Sequence, residues 1–411
     1  MATDLLGELL LSHVVEKTNR KDKLEIDGVV GEYPIYRIPL DKLFYNDRND
    51  RIATAICKYK DEHGEDSINL NNFEEYNSIL QTLIEESNPS KLEDTQQSIK
   101  DKGQLRFGIV LNDGRIIDGN RRFTCLRRLY NDRHNAAYGF FDAVILNKNY
   151  ENNEKSIKRL ELSIQIGEEE KDKYDPIDRL VGIYRDIEET KQFTIDEYVD
   201  YTRMKATEVK KALQKARLMV EMLEAIGAPK KYYLIKDLKL DGTLSEMPTV
   251  LNKLKGDEKQ TKQLKLTLFA DMVAAPRKEL NRYVRDIGKL DASHIVDLVQ
   301  SQKTSTLDVI DSLKEKETVS LNDIYTIRRD ENLKKHLEDT LAIAKERNGR
   351  AKKRNSPKES MQNAYDDLNG IDSKVLPLLT SSEINTLLKL ADDIGYVLED
   401  IKKELTIVSR S

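Results

Sequence analysis

The hydrophobic pattern of this 411-residue chain changes period near residue 150. Between residues 33 and 148, short apolar runs alternate with turn signals, the pattern of strands and short helices. Beyond 150 strand signals largely vanish, and apolar residues recur at helical spacing. One chain must therefore build an α+β core first and mainly helical cores after it. The length is enough for two to four domains.

In the first part, Tyr36 to Leu40 reads as a strand, followed by the polar stretch Asn46 to Arg51. Residues 73–86 and 90–102 read as helices, the second capped by Ser90 with Glu93 at the reciprocal position. Phe107 to Leu111 and Arg115 to Ile117 are strands around the hairpin turn Asn112-Asp113-Gly114. Asp118-Gly119-Asn120 then breaks the pattern. A helix follows from Arg121 to Tyr130, and a strand from Phe140 to Leu146. Residues 1–20 read as an amphipathic helix within an N-terminal arm, 1–32. Its acids Asp4, Glu8 and Glu16, with no basic leader, distinguish it from a signal peptide.

In the second part, residues 154–166 and 176–190 read as helices, with Pro176 suited to a first turn. Thr194 and Glu197 make a capping-box pattern, and a break at Thr202–Lys205 precedes a helix carrying Val209, Leu213 and Ala216. This pair reads as a helix-turn-helix. The expected divisions are 33–148, a helical domain 149–245 and a second helical domain 246–344. A flexible basic linker at 345–358 and a closing helical hairpin at 359–411 complete the chain.

Charge narrows the partners. Lys and Arg number 68 against 73 Asp and Glu, a net charge of -5, so binding to nucleic acid requires local basic patches. Cys57 and Cys125 share no metal-type spacing with the five histidines, which fits a reducing cytoplasm and no disulfide framework. No apolar run reaches the ~20 residues of a membrane helix.

The informative stretch is IIDGNRRFTCLRRLY. Glycine between strand and helix lets the backbone turn tightly and lets a ligand come close. The new helix points free N–H groups into the corner. Arg121 and Arg122 add forked donors suited to phosphate oxygens. Asp118 either holds one arginine in place or contributes to catalysis or a metal site. Taken alone, this pattern also describes an ordinary turn with solvated arginines.

Several features match in order across 36–146. IYRIPLDKLFYNDRNDR supplies a strand and an Asn/Arg-rich turn ending at Arg51. Ser98-Ile99-Lys100-Asp101-Lys102-Gly103 supplies an "SI…G" helix end, and Gly119-Asn120-Arg121-Arg122 stands where a "GERR" box would. Here the chain resembles the N-terminal domain of the ParB/sulfiredoxin-like superfamily. The resemblance implies a mixed sheet with helices that binds a nucleoside triphosphate, CTP or ATP with Mg2+, through Arg51, Gly119, Asn120, Arg121 and Arg122. It also implies helices that grip double-stranded DNA, in a cytoplasmic bacterial or mobile-element protein.

The departures concern activity. Asn120 replaces the family's Glu, Thr124-Cys125 replaces "RA", and Arg106-Phe107 stands for "QP". The metal-associated "ENxxR" box has no clean match, with Glu161 and Gln165 as its nearest relics. An altered or lost CTPase activity follows, with Asp118 and Glu161 as candidate catalytic residues and Glu161 and Gln165 as candidate metal ligands. Sulfiredoxin's nucleophilic cysteine falls on Asn120, which removes that chemistry, and Cys125 reads as packed.

For DNA, Lys205, Lys210, Lys211, Lys215 and Arg217 give the second helix of the pair a positive face. The bland alternative is a core hairpin with solvated lysines. Glu168-Glu169-Glu170 reads as a solvated surface. The expectation is a ParB-like DNA-binding protein whose nucleotide controls its grip. It would be a homo-oligomer or recruit a protein partner through its C-terminal helices, with no membrane contact. Its rivals are an enzyme on the same fold, nuclease or small-molecule kinase, and a regulator with a vestigial nucleotide site.

Overall fold

A computed structural model describes residues 4–26, 29–133, 135–148, 150–169 and 175–410. The chain forms two compact units, Met1–Ala344 and Lys345–Ser411.

The first unit opens with α1 (Leu5–Leu11), β1 (Glu16–Ile26) and β2 (Val29–Pro39). Next come α2 (Ala53–His63), α3 (Phe73–Ser87) and α4 (Pro89–Lys102). Strands β3 (Gly108–Leu111) and β4 (Ile116–Asp118), helix α5 (Asn120–Arg133) and strand β5 (Phe140–Leu146) complete a five-stranded mixed sheet. Its order is β1-β2-β5-β3-β4, with β3 parallel to β5 and the other pairs antiparallel. Period-two alternation sends Ile38, Val110, Ile116, Phe141 and Ala143 into a core with α3, α4 and α5. Ile35, Ile109, Leu111, Ile117, Val144 and Leu146 face the opposite way, against α6 (Tyr150–Glu169). The expected α+β character holds, with strands at 108–111, 116–118 and 140–146.

Two N-terminal expectations need correction. The helix expected over 1–20 ends at Leu11, and Glu16–Ile26 is a strand paired with β2. This strand is the sheet edge, where one neighbour suffices and charged side chains are tolerated on both faces. Helix α4 is capped by Asn88, which accepts from the Lys91 amide at 3.2 Å, and not by Ser90. Pro89 takes the first helical position, which places the cap one residue before it. Helix α2 carries no strong apolar periodicity and so has no clear sequence signal.

The helical part continues with α7 (Pro176–Tyr184), which runs into a π-helical turn at Arg185–Glu189, then α8 (Ile195–Thr202) and α9 (Ala206–Ala225). The remaining helices of this part are α10 (Tyr232–Asp237), α11 (Asp241–Leu251), α12 (Glu258–Ala274), α13 (Leu280–Gly288), α14 (Ala292–Ser301), α15 (Lys303–Lys314) and α16 (Leu321–Arg328). One apolar core joins Ile177, Met219, Leu268, Ile295 and Leu341, so both sides of the expected 245/246 division share it.

The basic stretch 345–358 is helical, not a flexible linker. It lies within α17 (Glu331–Asn369), whose Leu337, Leu341 and Ala344 are buried in the first unit's core. That packing nucleates the helix, and Lys, Arg and Glu lose little freedom by extending it. In the second unit α18 (Ser381–Val408) follows, opened by a Thr380/Glu383 capping box. The expected element here is a closing hairpin, yet α18 buries none of its residues. Among the described residues no helix is long and apolar enough to cross a membrane.

Candidate functional site

Strand β4 ends at Asp118, Gly119 turns the chain with φ of 100°, and α5 starts at Asn120. The Gly119 carbonyl accepts the first helical bond from Phe123 at 2.9 Å. The amides opening α5 therefore have no partner within the helix, and they meet the turn at its positive end. The glycine is required by the fold itself. A Cβ there would lie 2.8 Å from the Phe141 ring and 3.1 Å from the Arg122 guanidinium. Gly108, on β3, leaves room for the same ring, since a Cβ at that position would overlap it.

The corner forms part of a cavity of about 430 Å³. Its wall brings together Arg51, Gly119, Asn120, Arg121, Arg122 and Glu161, residues far apart in the sequence. Asp118 also lines it. Its carboxylate takes Arg122 Nη2 at 2.8 Å, and the same nitrogen donates to the Phe107 carbonyl at 3.1 Å. Arg122 is thus committed to holding the corner. Asn120 is 8% exposed, and its side-chain oxygen has no hydrogen-bond partner. A buried acceptor of this kind, lining a cavity, suits a ligand donor. A nucleotide with basic side chains around its phosphates fits this donor set.

Lys91, Thr95 and Ser98 of α4 complete one side. The sequence reading assigned no role to Lys91 or Thr95 and marked Ser98 only as part of the helix-end motif, although their i, i+4, i+7 spacing on one helix face was visible. The expected "SI…G" ending is present, with Gly103 at φ of 71° donating to the Ile99 carbonyl at 2.9 Å.

Behind the Glu161 wall lies a buried ion network. Lys158 Nζ is 2.5 Å from Asp50, 3.6 Å from Glu161 and 3.7 Å from Asp186. Arg185 pairs with Asp50 and, at 3.4 Å, with Asp186. Asn46 Nδ2 donates to Glu161 at 2.5 Å. Burial pushes the Glu161 carboxyl up to about 7, with Lys158 opposing. Burial likewise lifts Asp186 to about 6 against Lys158. Asp50 stays below the ordinary carboxylate range, because Lys158 and Arg185 together outweigh its burial. Glu161 is thus a cavity-wall carboxyl poised to titrate near neutrality.

Gln165 lies in α6, but its side chain falls outside the described residues, as do those of Glu168, Glu169 and Glu170. Among the described residues no group of three or more His, Cys, Asp or Glu side chains is placed to hold a metal. Cys125 is buried and its thiol is pushed up to about 12 by that burial, in keeping with a packing role.

The second expected site is the α8–α9 pair. The Thr194/Glu197 capping box is formed, and Arg203 turns the chain with φ of 50°. Phe193, Tyr198, Val209 and Leu213 share one small core beneath the pair. Of the five cations expected to meet DNA, Lys205, Lys210 and Lys211 are exposed. The other two are paired with acids, half-buried Lys215 with Asp241 and exposed Arg217 with Glu188 at the surface. Among the described residues, the members of this set without a carboxylate partner, Lys205, Lys210 and Lys211, lie at the start and in the first half of α9. No protein-family profile matches the sequence, and neither does any curated protein.

Proposed function

We propose that the chain is a ParB-like DNA-binding protein in which a nucleoside triphosphate, CTP or ATP with Mg2+, controls the grip of α8–α9 on double-stranded DNA. The observation that carries this reading is the cavity at Gly119–Arg122, whose wall gathers the expected phosphate-binding residues around an unpartnered Asn120 oxygen. Arg51 and Arg121 would face phosphate oxygens, with Arg122 holding the turn. The bound group would supply negative charge to a wall in which five cations outnumber three carboxylates.

Control over DNA has a physical basis in the ion network. Asp50 neighbours the cavity residue Arg51, Glu161 is in the cavity wall, and Asp186 and Arg185 belong to the π-helical turn leading to α8. The Asp186 carbonyl also accepts from the Phe193 amide at 3.2 Å, just before α8. A shift of the Asn49–Ile52 segment or of Glu161 on ligand binding would thus be felt where the DNA helices begin.

Glu161 favours a second reading, that the nucleotide is hydrolysed, because a carboxyl near neutrality suits general acid–base work. Assembly through α18 belongs to the same proposal. Its Ile384, Leu387, Ala391, Ile394, Leu398, Ile401, Leu405 and Val408 alternate three- and four-residue steps over four heptads. Such a seam suits pairing with a second copy.

The test is thermal unfolding with CTP, ATP, GTP and UTP in the presence of magnesium, followed by product analysis. A rise in melting temperature with one or two of them supports the reading. No rise with any would leave the corner as a plain turn, and a cleaved DNA or phosphorylated metabolite would favour the enzyme alternatives.

A further inference from the structure

A second recess, of about 600 Å³, lies in the helical part of the first unit, remote in sequence from the Gly119 corner. It is walled by the turn after α10, the connection from α12 to α13, the exposed side of α13 and the end of α16. Of its fourteen lining residues seven are cationic and only Glu279 is anionic.

Carboxylates answer four of these cations. Arg277 meets Glu338 at 3.1 Å and Asp286 at 3.6 Å, and Lys289 meets Asp286 at 2.9 Å. Arg285 meets Glu246 at 2.7 Å and Arg282 meets Glu279 at 3.7 Å. Lys239, Lys278 and Arg328 pair with no carboxylate among the described residues. Against seven cations stand four carboxylates, which leaves three positive charges around one concavity.

Arg328 is the most telling of them. It is half-buried, and its guanidinium donates at 3.1 Å to the carbonyls of Met272 and Val273 at the end of α12. The negative end of that helix offsets part of its charge. Burial still pulls its pKa below the usual guanidinium value. The fork has five N–H donors, so donors remain after two carbonyl bonds. A cation held in this way gains from an anion entering the recess.

We propose that this recess is a second anion site, which takes a small molecule bearing two or more linked phosphates. Arginine forks match phosphate oxygens in geometry, and a di- or triphosphate matches the uncompensated charge. The half-burial of Arg277 and Arg328 argues for a compact ligand over a DNA backbone. Phosphates on a wide duplex would reach the exposed Lys278, Arg282 and Lys289, whereas a small polyanion also reaches half-buried Arg277 and Arg328. The proposal is independent of what the Gly119 corner binds.

The test is calorimetric titration of the full chain with inorganic tripolyphosphate, in an Arg51→Ala, Arg121→Ala background that weakens the other basic corner. One binding event is expected, weakened about tenfold or more by Lys278→Glu with Arg282→Glu, and also weakened by Arg328→Gln. Both rim residues are exposed, so an unchanged melting curve is expected; if it shifts, the milder Lys278→Gln with Arg282→Gln carries the same comparison. Absence of heat in the parent, or equal affinity in the rim variants, would overturn the proposal. So would a rim pair that weakens duplex DNA binding when tripolyphosphate does not bind, which would assign the recess to a nucleic-acid backbone.

Discussion

Arg122 stands one helical turn beyond Asp118, with its Nη2 2.8 Å from that carboxylate. Two neighbouring arginines therefore do different work, Arg122 tying strand β4 to helix α5 while Arg121 lines the cavity. Arg121→Ala should weaken nucleotide binding at least tenfold, as removal of a charge-assisted hydrogen bond worth about 1.5–3 kcal/mol requires. Arg122→Ala should lower Tm, because Asp118 and the Phe107 carbonyl lose their donor. Calorimetry and thermal melts on both variants separate the two roles. Gly119→Val tests the fold more than the ligand, given the left-handed φ and the Phe141 ring against it.

Stability should fall as pH rises through neutrality. Glu161 is raised from 4.5 to about 7 and Asp186 from 3.8 to about 6. For a raised carboxyl, the stabilisation is complete below the unfolded pKa and is lost as pH rises through the folded one. Asp50 is lowered and works in the opposite sense, losing its stabilisation only as pH falls through the acid range. Between about pH 5 and pH 8 the wild-type Tm should therefore drop. Glu161→Gln, which can still accept from Asn46, should flatten that drop by several degrees. An identical profile in the variant would remove Glu161 from the linkage.

DNA affinity should depend on the first half of α9. Lys210→Glu with Lys211→Glu should abolish binding, read by fluorescence anisotropy across a salt series on genomic fragments selected by pull-down. Lys215→Ala should instead act by leaving Asp241 without its cation. Because 345–358 is helical, its contribution is tested by Lys/Arg→Gln substitution and not by deletion. Every cation–phosphate pairing removed should reduce the slope of log affinity against log salt by about 0.9.

Assembly should depend on the α18 seam. Leu398→Glu in the full chain places a charge at the centre of a row of apolar positions. The expected outcome is a lower mass by sedimentation equilibrium and reduced helicity, since an unpartnered surface helix has little to stabilise it. A wild-type monomer at all concentrations would leave α18 for another partner.

The corner was legible because its signals are local. Asn112-Asp113-Gly114 and Asp118-Gly119-Asn120 bracket β4, and the structure has both turns where the residues demand them. Strand β1 was illegible for a physical reason, since a charged edge strand with little to bury has no alternation to display. The Asp50–Lys158–Glu161–Asp186 network was equally hidden. Its members come from three separate segments of the chain, and apart from Glu161, singled out for another reason, each alone reads as a solvated charge. The pairing of Lys215 and Arg217 with acids was concealed likewise, because a positive helix face looks the same whether or not acids from other segments meet it.

One ring beneath two glycines has a consequence for how such a sequence can diverge. Phe141 fills the space that Gly108 and Gly119 both leave. Neither glycine can gain a side chain while the ring remains. A smaller residue at 141 would open a void under the turn before any compensating change arrived. Positions 108, 119 and 141 are therefore constrained to change as a set, along with the left-handed turn of Gly119. A descendant that abandons ligand binding should retain this trio long after Arg121 and Asn120 have drifted, so a surviving glycine at 119 is by itself a record of folding and not of function.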